Sequence, residues 1–249
     1  MQKVPVLMCW LKVKMVDTVG FIFARGGSKG LPGKNTRPLL GLSLLERAIA
    51  QAKAVKRIER LIVSTDSSEI AELARGAGAE VPFERPAELA RDDSPEWLAW
   101  RHALQFLLDT EGRLPKTMLT VPTTAPLRAV QDLEQCLDKF AEGDCDCVIT
   151  TSVAHRNPYF NMVKLDSLGH ATVFAPLPAT VIRRQDAPAV FDMTTVAYVV
   201  NPQFVMSAQG IFEGRVKAIL IPLERAIDID TLRDFELAEF ELRRQGRTL

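Results

Sequence analysis

The chain has 249 residues, 47% hydrophobic and 25% charged, a composition that supports a substantial core in a globular protein. Lys plus Arg and Asp plus Glu both number 31, so no net field recruits nucleic acid or an anionic membrane, and any anion must be bound locally. Four cysteines are too few for a disulfide scaffold, and Cys145 and Cys147 lack a usual zinc spacing. Reduced thiols in a cytoplasmic protein are therefore expected. The apolar run Val4 to Leu11 is short, is followed by Lys12 and Lys14, and shows no small-residue cleavage site. Residues 1–14 are read as an extension preceding a domain over 15–249, and no run approaches the length of a membrane span.

In chain order, Val19 to Phe23 predicts a buried strand. It leads into Ala24-Arg25-Gly26-Gly27-Ser28-Lys29-Gly30-Leu31-Pro32-Gly33-Lys34-Asn35, a loop of four glycines and three cations. Backbone without Cβ atoms approaches other groups closely, and free N–H groups beside cations suit phosphate. The Walker pattern would need Gly at Ser28 and Ser or Thr at Asn35. The absence of G-x-G-x-x-G disfavours a nicotinamide or flavin cofactor. A helix follows over Leu44 to Val55, with apolar Leu45, Ala48 and Ile49 at helical spacing. Leu61 to Ser64 predicts a strand, and Thr65-Asp66-Ser67 caps a helix over Ser68 to Arg75 that Gly76 and Gly78 end. Ala79 to Phe83 is again strand-like. This alternation predicts a parallel sheet with helices on both faces.

Pro86 marks a connection, after which Ser94 as N-cap and Pro95 at the first helical position open a helix to about Asp109. Lys116 to Val121 predicts a strand. Pro122-Thr123-Thr124-Ala125-Pro126-Leu127-Arg128 stands at its carboxyl end, the edge where open α/β sheets bind ligands. A helix over Val130 to Ala141 and a strand over Cys147 to Thr151 follow. From Val153 to Val190, Pro158, Pro176, Pro178 and Pro188 interrupt the pattern, predicting hairpins outside the sheet. Strands over Val196–Val200 and Val216–Pro222 flank a short helix after Pro202, and Leu232 to Arg244 predicts the last helix. In an extended stretch Asp228 and Asp230 project to one side while Ile227 and Ile229 face the core. With no lysine nearby in sequence the two carboxylates repel unless a cation sits between them, and Mg²⁺ accepts one or two protein carboxylates. The alternative is Asp230 as helix N-cap beside a solvated Asp228. The phosphate-type loop in the same chain favours the metal.

The glycine loop closely resembles the opening signature of the acylneuraminate cytidylyltransferases, the CMP-sialic acid synthetase family, and the resemblance runs from about Val19 to about Leu242. It implies an α/β, Rossmann-like three-layer nucleotidyltransferase fold with a mostly parallel sheet and a small projecting dimerisation extension over about 153–190, hence a homodimer. It also implies transfer of CMP from CTP to the anomeric hydroxyl of an acidic nine-carbon sugar, with release of pyrophosphate. By the resemblance, Arg25, Gly26, Gly27, Ser28, Lys34 and Asn35 hold the triphosphate and cytosine. Arg85, in a stretch like the family's Arg-Pro-x-x-Leu-Ala, also contacts the nucleotide.

Pro122 to Arg128 resembles Gln-Pro-Thr-Ser-Pro-Leu-Arg with Val121 in the glutamine's place, which puts Thr123 in the substrate pocket. Arg183-Arg184-Gln185-Asp186-Ala187-Pro188 resembles Arg-Gln-Asp-Leu-Pro, and the spacing from Arg184 to Tyr198 matches the family's. Arg184, Gln185, Thr194 and Tyr198 are thereby assigned to the sugar, with a guanidinium suited to its carboxylate. Thr194-Thr195 replaces the Asn-Gly usual in sialic acid enzymes. With Val121, this leaves N-acetylneuraminate, legionaminic, pseudaminic and deaminated acids open. An eight-carbon acidic sugar, or a catalytically silent nucleotide-binding protein, are the alternatives. Arg25 and Lys34, with Mg²⁺ on Asp228 and Asp230, would neutralise the transferring phosphoryl group. His102 falls in a helix and His155 and His170 in the loosened region, so a metal-activated hydroxyl is expected in place of a histidine base. The expected partners are CTP and the sugar.

Overall fold

Residues 17–27, 29–178 and 181–246 are described by a computed structural model; the 1–14 extension and Ser28 lie outside the described residues. Six strands, β1 (Thr18–Phe23), β2 (Arg60–Ser64), β3 (Thr117–Thr120), β4 (Cys147–Val153), β5 (Phe191–Val200) and β6 (Val216–Leu220), form one sheet in the order β6–β4–β5–β3–β1–β2. β1 reads as continuous apolar sequence because both its faces are covered. One face carries α1 (Leu44–Lys53), α2 (Ser68–Gly76) and α4 (Val130–Ala141), whose Leu45, Ile49, Ile70 and Leu133 pack with Ile22, Val63 and Val148. The other carries α3 (Glu96–Glu111) and α5 (Pro202–Ser207), with Trp97, Trp100, Leu104 and Val205 against Phe21, Met118 and Val200. A last helix, α6 (Leu232–Arg244), packs Phe235, Ala238 and Leu242 on Leu31, Leu44, Leu127 and Ile229. The expected three-layer α/β fold is present.

The sheet is mostly parallel: β1 pairs in parallel with β2 and β3, and β4 with β6, while β5 runs antiparallel between β3 and β4. β5 is also longer than the expected Val196–Val200. Its first three residues are exposed and pair with Thr151, Ser152 and Val153, making a ribbon that leads out of the sheet. Residues 154–190 form the loosely structured extension, with the hairpin Val163–Leu165/Ala171–Val173 as a separate two-stranded sheet.

Three local expectations are corrected. Ala79 to Phe83 is not a strand: only Glu80 bridges to Ile62, at the sheet edge beyond β2. Ser94 does not cap α3; Pro95 holds that position with no side-chain cap, and the Ser94 hydroxyl is buried without a hydrogen bond. Asp230 does not cap α6 either. Thr231 does, accepting from the Asp234 N–H at 3.3 Å while Asp234 accepts from the Thr231 N–H at 2.8 Å. The Asp230 carboxylate is thus available for other contacts.

Candidate active site

The glycine loop leaves β1 where the sheet turns its carboxyl edge outward and is sewn down by three contacts. The Gly26 N–H donates to Asp66 Oδ1 at 2.9 Å. Asn35 Nδ2 donates to the Arg25 carbonyl at 3.0 Å, and Thr123 Oγ1 donates to Asn35 Oδ1 at 2.6 Å. A buried asparagine side chain therefore couples the glycine loop to the loop after β3, and both Asn35 and Thr123 border the same cavity, of about 270 Å³. Gly30 packs on the Asp-x-Asp segment: a Cβ there would lie 2.3 Å from the Asp230 carbonyl oxygen. Only glycine permits this approach.

The cations converge from both sides. Lys34 Nζ, largely enclosed, donates to the Ile229 carbonyl at 2.8 Å and to Asp230 Oδ1 at 3.0 Å. The Ile229 N–H donates to the Thr124 carbonyl at 2.8 Å, so the loops after β1, after β3 and before α6 are laced together. Arg25 Nη1 pairs with Asp92 at 2.5 Å, and Lys29 Nζ pairs with the other oxygen of the same carboxylate at 2.7 Å. These two cations hold the Asp92 carboxyl below its usual range. Arg85 is buried, donating to Ser64 Oγ at 3.1 Å and to the Ser64 carbonyl at 2.6 Å, with its guanidinium 5.6 Å from the Phe23 ring centroid. Desolvation pushes Arg85 down to about 10. A guanidinium held by its backbone neighbours faces the cavity in a fixed orientation.

Of the residues assigned from sequence, Arg25, Gly27, Lys34, Asn35, Arg85, Thr123 and Tyr198 line this one cavity. Tyr198 stands against Trp100 at 5.6 Å between ring centroids, and burial pushes its hydroxyl up. Thr194 is turned away. A register shift between Ile149 and Thr150 makes Thr150 face Thr194, whose hydroxyl donates to Thr150 Oγ1 at 2.8 Å inside the sheet. Its neighbour Thr195 lines the cavity and lies 3.3 Å from the Thr124 hydroxyl. The bulge that makes this choice is invisible in a Thr-Thr pair.

Arg184 and Gln185 are also not in the cavity. They sit exposed on a short turn of the extension, Arg184 donating to the Ala154 carbonyl at 2.9 Å. Arg184 borders a separate, mainly apolar cavity of about 370 Å³ with His155, Leu220 and Leu223. Conversely Phe23, Arg91, Asp92 and Glu96 border the nucleotide-side cavity without having been assigned to it from the sequence, whereas Thr195 was visible there only as the second residue of the Thr194-Thr195 pair. The charge run Arg91-Asp92-Asp93, following the Arg85 stretch, was the only signal for Arg91 and Asp92.

Asp228 and Asp230 are not among the residues that line the cavity. Asp228 Oδ1 is buried with no hydrogen-bond partner, and Asp230 is exposed apart from its contact with Lys34. Among the described residues no cluster of three or more His, Cys, Asp or Glu is present, so a divalent ion here has two carboxylates and draws its other ligands from phosphate and water. An orphaned carboxylate oxygen beside a second carboxylate fits such an ion.

Comparison with known proteins agrees with this geometry. The model of the cytidylyltransferase family matches residues 19–245. The chain is 33% identical over 226 residues to the CMP-N,N'-diacetyllegionaminic acid synthase of Campylobacter jejuni, covering 91% of this chain and 95% of that protein. It is 31% identical over 232 residues to the post-translational flagellin modification protein B of Campylobacter coli, covering 93% and 97%. The solved structure of CMP:2-keto-3-deoxy-manno-octonic acid synthetase complexed with CTP superposes with a TM-score of 0.66 at 14% identity, covering 92% of this chain and 99% of that one, a likeness of fold. A phosphate-suited loop, Asp230 ion-paired to its Lys34, and a match over nearly the whole described chain together place this protein in the cytidylyltransferase family, as a nucleotidyltransferase.

Proposed function

We propose that the protein transfers CMP from CTP to the anomeric hydroxyl of an acidic nine-carbon sugar of the diacetylated, legionaminic or pseudaminic type. The observation that carries the site reading is the Lys34–Asp230 contact, which joins the phosphate-suited loop to the paired carboxylates. The name of the C. jejuni relative supports the sugar class, as do Val121 and Thr194-Thr195 at positions where sialic acid enzymes carry Gln and Asn-Gly. An eight-carbon sugar is supported only by likeness of fold.

In this reaction the anomeric hydroxyl gives up its proton to solvent as its oxygen bonds to the α-phosphorus, the bond from that phosphorus to the bridging oxygen breaks, and pyrophosphate departs. Arg25 and Lys34 neutralise the charge on the departing pyrophosphate, Lys34 exchanging Asp230 for a phosphate oxygen. Arg85, anchored on Ser64, orients the nucleotide, and the Asn35–Thr123 bond fixes the two loops that must align the substrates. Asp228 and Asp230 would hold Mg²⁺, which when bound supplies charge neutralisation at the transferring phosphoryl group. Arg184, a guanidinium on the extension, remains the proposed partner of the sugar carboxylate.

The extension exposes Leu165, Phe174 and Ile182, and the outer end of β5 beside it Phe191 and Met193, apolar residues that support homodimerisation there. Buried free thiols at Cys136, Cys145 and Cys147 support a cytoplasmic location, and no helix among the described residues is long and apolar enough to cross a membrane. Pyrophosphate release from CTP with a panel of eight- and nine-carbon sugar acids tests the substrate class; release with the eight-carbon acid alone would overturn it. Asp228→Ala is expected to lower kcat at least about a hundredfold with an unchanged melting profile. Turnover within a few-fold of wild type would remove the metal role.

A further inference from the structure

One acidic side chain in the cavity is unaccounted for by the reaction just described. Glu96, the first residue of α3, borders the cavity with Arg85, Phe23 and Tyr198, and among the described residues it forms no ion pair. It is open to solvent through the cavity mouth, yet the protein crowding its carboxyl pushes it above its ordinary range. The Trp100 indole and the Arg85 guanidinium offset that burial only in part, and the carboxylate keeps lone pairs free for a further donor. Two of the cavity's lining residues are aromatic, Phe23 and Tyr198, and both pack on the buried Trp100, at 6.3 and 5.6 Å between ring centroids. The cations paired with Asp92 and Asp230 belong to the glycine loop, so a triphosphate drawn to them leaves the aromatic, Glu96-bearing part for a flat heterocycle.

We propose that Glu96 is the specificity residue that selects cytosine over uracil, its carboxylate accepting a hydrogen bond from the exocyclic amine of the base. Uracil has a carbonyl oxygen at that position, which would face the carboxylate lone pair to lone pair. Carboxylates read the cytosine amine in this way elsewhere in nucleic-acid chemistry. The inference rests on the nucleotide occupying this cavity, as proposed above.

Discrimination has a pH dependence of definite sign. A protonated Glu96 carries an O–H that can donate to the uracil oxygen, so the preference for CTP falls as pH falls through its raised pKa. The charged or titratable groups that line the cavity with it are Arg85, Arg91 and Asp92 from the connector, Arg25 and Lys34 from the glycine loop, and Tyr198 from β5. His102, further along α3, is shifted down by desolvation first and then by Arg85. Glu96→Gln, which leaves His102 in place, therefore serves as the control for any contribution from that imidazole.

The test is calorimetric binding of CTP, UTP and the CTP analogue lacking the 4-amino group to the full-length protein, which needs no turnover and no sugar. Wild type is expected to prefer CTP to UTP by at least about tenfold near neutral pH and to lose a similar factor with the deaminated analogue. In Glu96→Gln, whose amide can donate to the uracil oxygen, the CTP-to-UTP ratio is expected to approach one and lose its pH dependence. In Glu96→Ala, removal of the amine from the base should no longer matter. A ratio unchanged within twofold in both variants overturns the proposal, as does a wild type that binds CTP and UTP alike. If neither nucleotide binds wild type while pyrophosphate release also fails, the cavity reading itself is at fault; CTP binding intact with an unchanged ratio sinks Glu96 alone.

Discussion

Gly30 illustrates how much a single missing methyl group can decide. Its Cα lies so close to the chain at Asp230 that any side chain would drive into a carbonyl oxygen, not into a flexible group that could yield. Gly30→Ala is expected to cost about 1–3 kcal/mol of stability, the range for forced overpacking, and to lower turnover further by prising Lys34 from Asp230. Thermal melts alongside pyrophosphate release check it, and a variant as stable and active as wild type would show that the loop adapts. Glycine at this spacing was legible as permission for close approach. The object approached, a segment two hundred residues away in the chain, was not.

The connector between β2 and α3 has the same character of a local pattern with a distant purpose. Asp92 occupies Arg25 and Lys29, the cations that a triphosphate would need. All three side chains are solvent-accessible, so these pairs add little to folding. Asp92→Asn should leave the melting temperature within a degree or two of wild type and lower the KM for CTP several-fold, because a competing carboxylate is gone. A raised KM would mean that Asp92 orders Arg25 for the nucleotide. Under α4 the balance is reversed. Asp132 is fully buried, accepts from the Ala129 N–H at 2.8 Å and takes both arms of Arg225 at 2.9 and 3.0 Å. Asp132→Ala would strand part of that pair and is expected to cost about 3–5 kcal/mol in chemical denaturation. It should also depress turnover, since Arg225 tethers the chain just before Asp228.

For the assembled protein, the extension carries a group of exposed apolar residues, Met162, Val163, Leu165, Leu168, Phe174 and Ile182 among them, while others lie on α6 and at Phe212. Phe174→Glu is expected to convert a dimer to a monomer in size-exclusion with light scattering at micromolar concentration. A wild-type monomer under those conditions would remove the dimer altogether. The reversed strand β5 belongs to this scale too. It is the return path from the extension, and its bulge against β4 turns Thr195 toward the cavity while Thr194 bonds within the sheet. Arg184 and Tyr198, matched by spacing, end on different cavities for a related reason: the ribbon carries one outward while the sheet holds the other.

Periodicity and turn chemistry sufficed for nearly every helix, for the core strands and for the phosphate-suited loop, because those are short-range preferences written into neighbouring residues. The Asp-x-Asp pair was legible as well, and no lysine stands near it in sequence, but the cation that meets Asp230 comes from elsewhere in the chain. Lys34 arrives from 196 positions earlier in the chain. Which threonine faces the cavity, which carboxylates meet which cations, and the place of Glu96 beside Arg85 were settled only when three loops met at one edge of the sheet. Charge pairing and desolvation act through space, so they depend on separations that a linear order of residues does not contain.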